Sequence, residues 1–134
     1  MGQRINNRSV MVTKGCYIIY MPIKIVKDKI SKSELSEIAQ NQFGDFVKAA
    51  VDIENGIMAI GGELHADEEA LLLEEGSGQK NLWGINLYPN QAAEEWIEFN
   101  SMINVRPSQG NRSRGVENPD IQKKIKIIVN NLVS

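Results

Sequence analysis

The dipeptide Asn55-Gly56 is flanked by two runs of strand-forming residues, Phe46-Val47-Lys48-Ala49-Ala50-Val51-Asp52-Ile53 before it and Ile57-Met58-Ala59-Ile60 after it. Asn-Gly between such runs is a strong hairpin signal, because both residues tolerate the positive φ that a tight turn demands. An antiparallel pair of strands over residues 46–53 and 57–60 follows. A hairpin alone is marginal in water and needs further strands or a helix over its apolar face. The rest of the chain must supply them.

Ile23-Lys24-Ile25-Val26 gives a short β-branched strand ahead of the hairpin. Ser31-Lys32-Ser33-Glu34 is a capping box, in which the Ser31 hydroxyl accepts from an early helix amide and Glu34 reaches back to the cap amide. Leu35, Ile38, Ala39 and Phe43 recur at helical spacing up to Gly44, which predicts a helix over residues 32–43. After the hairpin, Asp67-Glu68-Glu69 puts acids where a helix dipole favours them, and Gly76-Ser77-Gly78 closes that second helix. Residues 82–88 read as a fourth strand. Residues 96–105 read as a long fifth strand, with Ile97, Phe99, Ile103 and Val105 on one face and Glu98, Asn100, Asn104 and Arg106 on the other. After a polar loop over residues 107–117, Asn118-Pro119-Asp120 opens a third helix whose Ile121, Ile125, Ile128 and Leu132 form one apolar stripe. The expected fold class is α+β: a mainly antiparallel sheet of about five strands with three helices, in the order β-α-β-β-α-β-β-α, the helices packed on one face.

The 134 residues suit a single domain. No stretch approaches the ~20 apolar residues of a membrane span. The first twenty residues lack clear periodicity and an apolar leader core, and Met21-Pro22-Ile23-Lys24 reads as a second start. Residues 1–20 are therefore expected to be an N-terminal extension outside the core, and residues 21–134 a single domain. Cys16 is the only cysteine, so an intramolecular disulfide and a C-x-x-C pair are excluded, and a reducing cytoplasm fits.

The net charge of −2 is unevenly spread. Residues 1–32 carry seven Lys/Arg against one Asp, residues 33–104 two Lys against fourteen acids, and residues 105–134 six Lys/Arg against two acids. Basic ends and an acidic middle either lie against each other, in the fold or across a homodimer, or the basic part meets an anionic partner. The acidic balance argues against general affinity for nucleic acid.

Three constellations carry candidate chemistry. The segment Arg106-Pro107-Ser108-Gln109-Gly110-Asn111-Arg112-Ser113-Arg114-Gly115 holds three arginines, no acid and two glycines. Arginine forks match phosphate and carboxylate oxygens, and glycines let backbone amides turn inward as an anion nest. Arg106, Asn111, Arg112 and Arg114 are the candidate anion site, unless the arginines pair with the acidic middle segment. It is not a P-loop. Next, Glu63, His65 and Asp67 would point the same way if extended, giving a base or a metal site. The alternative there is a strand-to-helix junction capped by Asp67. As His65 is the sole histidine, a multi-histidine site within the chain is excluded. Finally, the polar strand face of Glu98, Asn100, Asn104 and Arg106, joined by Asn86 and flanked by Trp83 and Trp96, could contact a peptide, a sugar or another subunit, or lie open to solvent.

The stretches Gln42-Phe43-Gly44-Asp45-Phe46-Val47-Lys48-Ala49, Ile57-Met58-Ala59-Ile60-Gly61-Gly62-Glu63-Leu64-His65-Ala66-Asp67-Glu68-Glu69-Ala70, Leu82-Trp83-Gly84-Ile85-Asn86-Leu87-Tyr88-Pro89 and Ile103-Asn104-Val105-Arg106-Pro107-Ser108-Gln109-Gly110-Asn111-Arg112-Ser113-Arg114-Gly115-Val116 resemble a small family of prokaryotic domains of unknown function. The resemblance spans residues 21 to 133. It implies a prokaryotic cytosolic domain and carries no activity, cofactor or functional residue across. Two functional expectations stand. One is a non-enzymatic binding module that uses the basic loop for an anionic ligand or an acidic protein surface, without cofactor, metal or membrane. The other is a small hydrolase- or lyase-type enzyme built on Glu63, His65 and Asp67.

Overall fold

The computed structural model describes residues 9–14 and 17–134. Strands β1 (Ser9–Lys14) and β2 (Tyr17–Pro22) pair antiparallel as a two-stranded sheet of their own. Their Val, Ile, Thr and Tyr content is strand-forming even though no alternation announces it. Cys16 lies outside the described residues.

The hairpin dictated by Asn55-Gly56 is the centre of a second, five-stranded sheet. Its strands are β3 (Lys24–Val26), β4 (Val47–Asp52), β5 (Ile57–Ile60), β6 (Leu82–Leu87) and β7 (Ile97–Glu98). They lie in the order β3-β5-β4-β6-β7, every neighbour antiparallel. Helices α1 (Lys32–Asn41), α2 (His65–Glu74) and α3 (Pro119–Leu132) interleave with them in the expected order.

The hairpin turn is looser than a two-residue Asn-Gly turn. Asp52 pairs with Ile57, which leaves residues 53–56 in the loop, and only Gly56 takes a positive φ, 68°. Asp52 replaces tight-turn geometry as the organiser. Its carboxylate accepts from the Glu54 and Asn55 amides at 2.9 and 3.1 Å, from Asn55 Nδ2 at 2.8 Å and from Ser77 Oγ at 2.6 Å. Burial pushes this carboxyl's pKa up, but those hydrogen bonds outweigh it and hold the group below its ordinary value. At α1, Ser31 Oγ accepts from the Glu34 amide at 3.0 Å as the capping box requires. The Glu34 carboxylate, however, meets Lys24 Nζ at 2.7 Å instead of returning to the cap.

The helices do not share one face of the sheet. The first face presents Val47, Ala49, Val51, Met58, Ile60, Trp83, Ile85 and Leu87 to Leu35 and Ala39 of α1 and to Ile125, Val129 and Leu132 of α3. The second face carries Ala50, Ala59 and Leu82 under Leu71 and Leu72 of α2. The period-2 alternation of β4 and β6 puts apolar residues on both sides, so both sides require a cover. Trp83 and Trp96 belong to the first layer, both 2% exposed, and do not flank a polar face.

The fifth strand is far shorter than residues 96–105. It ends after Glu98, and the chain climbs over the second face through a 3₁₀ turn at Met102–Asn104. A close approach at Gly84 accounts for this path. A Cβ at Gly84 would lie 2.5 Å from Ser101 Cβ and Oγ and 3.1 Å from Ile103 Cγ1, so the crossing segment packs where a side chain would otherwise stand. Asn104 then takes the place of a strand partner. Its Oδ1 accepts from the Gly84 amide at 2.8 Å, and its Nδ2 donates to the Gly84 carbonyl at 3.0 Å.

Candidate functional site

The register of β4 and β6 puts Lys48 opposite Asn86 on the second face, with Ala50 opposite Gly84 and Asp52 opposite Leu82. Helix α2 covers the Ala50–Leu82 end. Its first residue, His65, comes down over the Lys48–Asn86 pair and is 9% exposed. Past that point the face opens onto Phe46 and Tyr88, whose rings sit 5.4 Å apart, and Phe43 stacks on Phe46 at 4.8 Å.

His65 is fixed by a 2.8 Å hydrogen bond between Nε2 and the Ile85 carbonyl. A carbonyl only accepts, so Nε2 carries the proton, and in the neutral ring Nδ1 carries a lone pair. Burial is the main influence lowering the imidazole's pKa, against the raising effect of the Ile85 bond. Lys48 and Arg114 lower it further, while contact with the Asn86 side chain raises it. Lys48 comes from the sheet and Arg114 from the basic loop, so two distant segments bring positive charge to one imidazole. Lys48 Nζ donates to the Glu63 carbonyl at 2.8 Å and lies 5.0 Å from the Phe43 ring centroid. Arg114 is exposed, and its Nε donates to Asn100 Oδ1 at 2.8 Å.

Asn86 is 7% exposed. Its Nδ2 donates to Glu98 Oε1 at 2.9 Å and to the Asn100 carbonyl at 3.3 Å, and Tyr88 Oη donates to the same Glu98 oxygen at 3.2 Å. Among the described residues its Oδ1 has no hydrogen-bond partner. Glu68, three residues beyond His65 and on the same side of α2, is fully buried. One carboxyl oxygen accepts from the Gly62 amide at 2.8 Å, while the other has no partner among the described residues. Burial drives its pKa well up, and the Gly62 bond and Lys48 oppose this only in part.

The three candidate constellations are thus redistributed. Glu63, His65 and Asp67 are not an extended row: Leu64 is the N-cap of α2, and His65 already belongs to the helix. Glu63 is exposed, Asp67 is part of the first turn without being its cap, and only His65 points inward. No three His, Cys, Asp or Glu side chains among the described residues are grouped to hold a metal ion. Of the basic loop, Arg106 is tied to the protein itself. It donates to the carbonyls of Ile103 at 3.0 Å, Gln79 at 2.6 Å and Leu82, and its guanidinium lies 4.4 Å from the Trp83 ring centroid. Asn111 bonds the loop internally, from Nδ2 to the carbonyls of Asn104, Ser113 and Gly115 and from the Glu117 amide to Oδ1. The inward-turned amides of the loop exist, but they hold the chain's own carboxylate: Glu117 Oε2 accepts from Arg112 and Ser113 at 2.9 and 2.8 Å. Arg112 is exposed. Asn104 is the Gly84 clamp, whereas Asn86, Asn100 and Arg114 gather with His65.

Two members of this group escaped sequence reading. Lys48 is the one charge inside the strand run Val47–Val51, a signal that was there to be read. Glu68 is hidden by its company, since three successive acids at a helix start have a sufficient reason in the helix dipole.

The fold and the site define an α+β domain whose five-stranded antiparallel sheet keeps a polar, partly open patch at one end of its second face. The chain belongs to the family described as a protein of unknown function (DUF5674), whose model matches residues 24–132. No curated protein and no solved structure matches it. No helix among the described residues is long and apolar enough to cross a membrane.

Proposed function

We propose that the domain is a non-enzymatic binding module that takes an anionic group, a carboxylate or a phosphate, at the open end of the second sheet face. The observation behind this reading is that Lys48, opposite Asn86 in the sheet register, and Arg114, bonded to the Asn100 whose carbonyl accepts from Asn86, converge on one buried amide beside His65. The two cations come from separate segments, and no carboxylate among the described residues hydrogen-bonds to either. Charge gathered on a half-buried surface attracts an anion more strongly than the same charge fully in water. Arg112 lies at the rim and Arg106 serves the fold. A prokaryotic cytoplasm is the setting we assume, consistent with a single cysteine.

The test is titration of ¹⁵N-labelled protein with inorganic phosphate and with an acidic peptide at two ionic strengths. Binding is expected to weaken steeply with salt and to fall about tenfold or more in the Lys48→Ala plus Arg114→Ala variant. Arg106→Ala is expected to lower stability by ~2 kcal/mol while leaving affinity per folded molecule unchanged. Binding that is indifferent to Lys48 and Arg114 would end the proposal.

One observation favours a second reading, a hydrolase- or lyase-type enzyme. Burial moves Glu68 up and His65 down on a single helix turn, the divergence expected of an acid and a base working at neutral pH. In that version Glu68 takes the place of Glu63 and Asp67. It requires turnover of a small ester or phosphoester that both His65→Ala and Glu68→Gln abolish.

A further inference from the structure

Asn86 cannot turn its side chain to satisfy Oδ1. Both hydrogens of Nδ2 point at acceptors, the Glu98 carboxylate at 2.9 Å and the Asn100 carbonyl at 3.3 Å. A flipped amide would set its oxygen against both of them. Oδ1 is therefore held as a buried acceptor without a donor among the described residues, an arrangement that costs about 1–3 kcal/mol. The Asn86 side chain favours the charged form of the His65 imidazole by hydrogen bonding, and the ring's Nε2 proton is held by the Ile85 carbonyl at 2.8 Å. A second proton can enter the ring only at Nδ1, and there it would supply the donor that Asn86 lacks.

What opposes that proton is burial and positive charge. The charged groups that act on the ring are Lys48 of β4 and Arg114 of the basic loop. Glu98 of β7 stands behind Asn86, and burial drives the pKa of Glu68, on the same helix turn, well up, which favours its uncharged form. An anion bound between Lys48 and Arg114 cancels the opposition from both cations together.

We propose that anion binding at this site is coupled to proton uptake by His65, the new Nδ1–H being received by Asn86 Oδ1. The coupling rests on the anion reading above and adds its regulation. The ligand is then taken together with a proton, and affinity rises as pH falls. The bound state has the higher imidazole pKa, so uptake occurs between the free and bound values, and affinity levels off below both.

Because His65 is the only histidine, its ring carbons report one titration in ¹H–¹³C spectra without assignment ambiguity. Sulfate is the probe, since it keeps one charge state across about pH 5 to 8, the range in which histidine titrates. Sodium chloride at matched ionic strength is the control for screening. Sulfate is expected to raise the His65 pKa by about one unit, which is a tenfold gain in sulfate affinity across the transition. Asn86→Leu, or Asn86→Ser if the leucine variant does not fold, is expected to shrink the rise while the Arg114 and Lys48 resonances still respond to sulfate. Sulfate that shifts those resonances but leaves the His65 titration unmoved overturns the coupling and spares the anion reading. An equal rise in sodium chloride, or an undiminished rise in both Asn86 variants, also overturns it. If sulfate shifts nothing at any pH, the anion reading falls and the coupling falls with it.

Discussion

The two faces of the one sheet are built on different terms. Under α1 and α3 the first face is built of apolar contacts, from Val47 and Trp83 to Ile125 and Val129, and it asks mainly for volume to be filled, although the buried Trp83 Nε1–H has no partner among the described residues. Under α2 and the Met102–Asn104 crossing, the second face buries Asp52, His65, Glu68, Asn86, Ser101 and Asn104. Each of those groups needs a partner, because an unpaired buried polar group costs free energy that an apolar one does not. Near the covered end the partners are complete: Asp52 has four donors, and Asn104 clamps both polar atoms of Gly84. Toward the open end they are not, and Glu68 and Asn86 each keep an oxygen unmatched among the described residues. The gradient separates the part of the second face that holds the fold from the part available for function.

That contrast breaks most visibly on the first face. Trp83→Ala removes the largest fully buried side chain and the platform under Arg106, and is expected to cost ~4 kcal/mol. Urea denaturation reads this directly. A loss below ~1 kcal/mol would mean that the first face can collapse around the gap, and that the distinction between volume and polar partners is overdrawn.

The second face's covered end should respond in a different currency. Asn104→Ala deletes three hydrogen bonds, two to Gly84 and one to the Arg114 carbonyl, and leaves the Gly84 amide and carbonyl buried. The expected loss is ~3 kcal/mol, from stranded backbone groups rather than from lost volume. Asn104→Leu, which keeps the volume, should therefore rescue little. If the leucine variant matches wild type, Asn104 is a filler and the clamp counts for nothing.

Sequence carried the first face and missed most of the second. The Asn55-Gly56 hairpin, the Ser31 cap, the Asn118-Pro119 start and the Ile121–Leu132 stripe are local signals, each settled within a few residues, and they brought strand and helix order with them. The crossing at Ser101 to Asn104 is not local. Its alternation of apolar and polar residues suits a strand, and what ends the strand is Gly84, some twenty residues earlier, admitting Ser101 where a Cβ would stand. The same non-locality hid the site. His65, Asn86, Asn100 and Arg114 were each visible as residues of interest, but nothing in their spacing shows that α2 lowers His65 onto the Lys48–Asn86 pair. Arg106 and Arg112 look identical to Arg114 in sequence, and only the fold distinguishes an arginine held by carbonyls from one near an imidazole.

The effect that is smallest in acid, and the sharpest on the comparison, concerns Glu68. Its folded-state pKa lies well above the ordinary glutamate value, chiefly from burial. The folded protein therefore holds this proton where the unfolded chain has lost it. Below the unfolded-state pKa both states are protonated and the group adds no slope. As pH rises from there through the folded-state pKa, the folded state must either keep a proton that the solvent no longer supplies freely or bury a charge, so stability falls. Glu68→Gln has no proton to lose and nearly the same shape. It keeps an acceptor for the Gly62 amide, so its stability should be close to wild type in acid and exceed it increasingly as pH rises. Parallel urea curves for the two proteins from acid to mildly alkaline pH read the difference. If the curves stay parallel, Glu68 is ionised in the fold, Lys48 is its true counter-ion, and the open end of the second face is as fully partnered as the covered end.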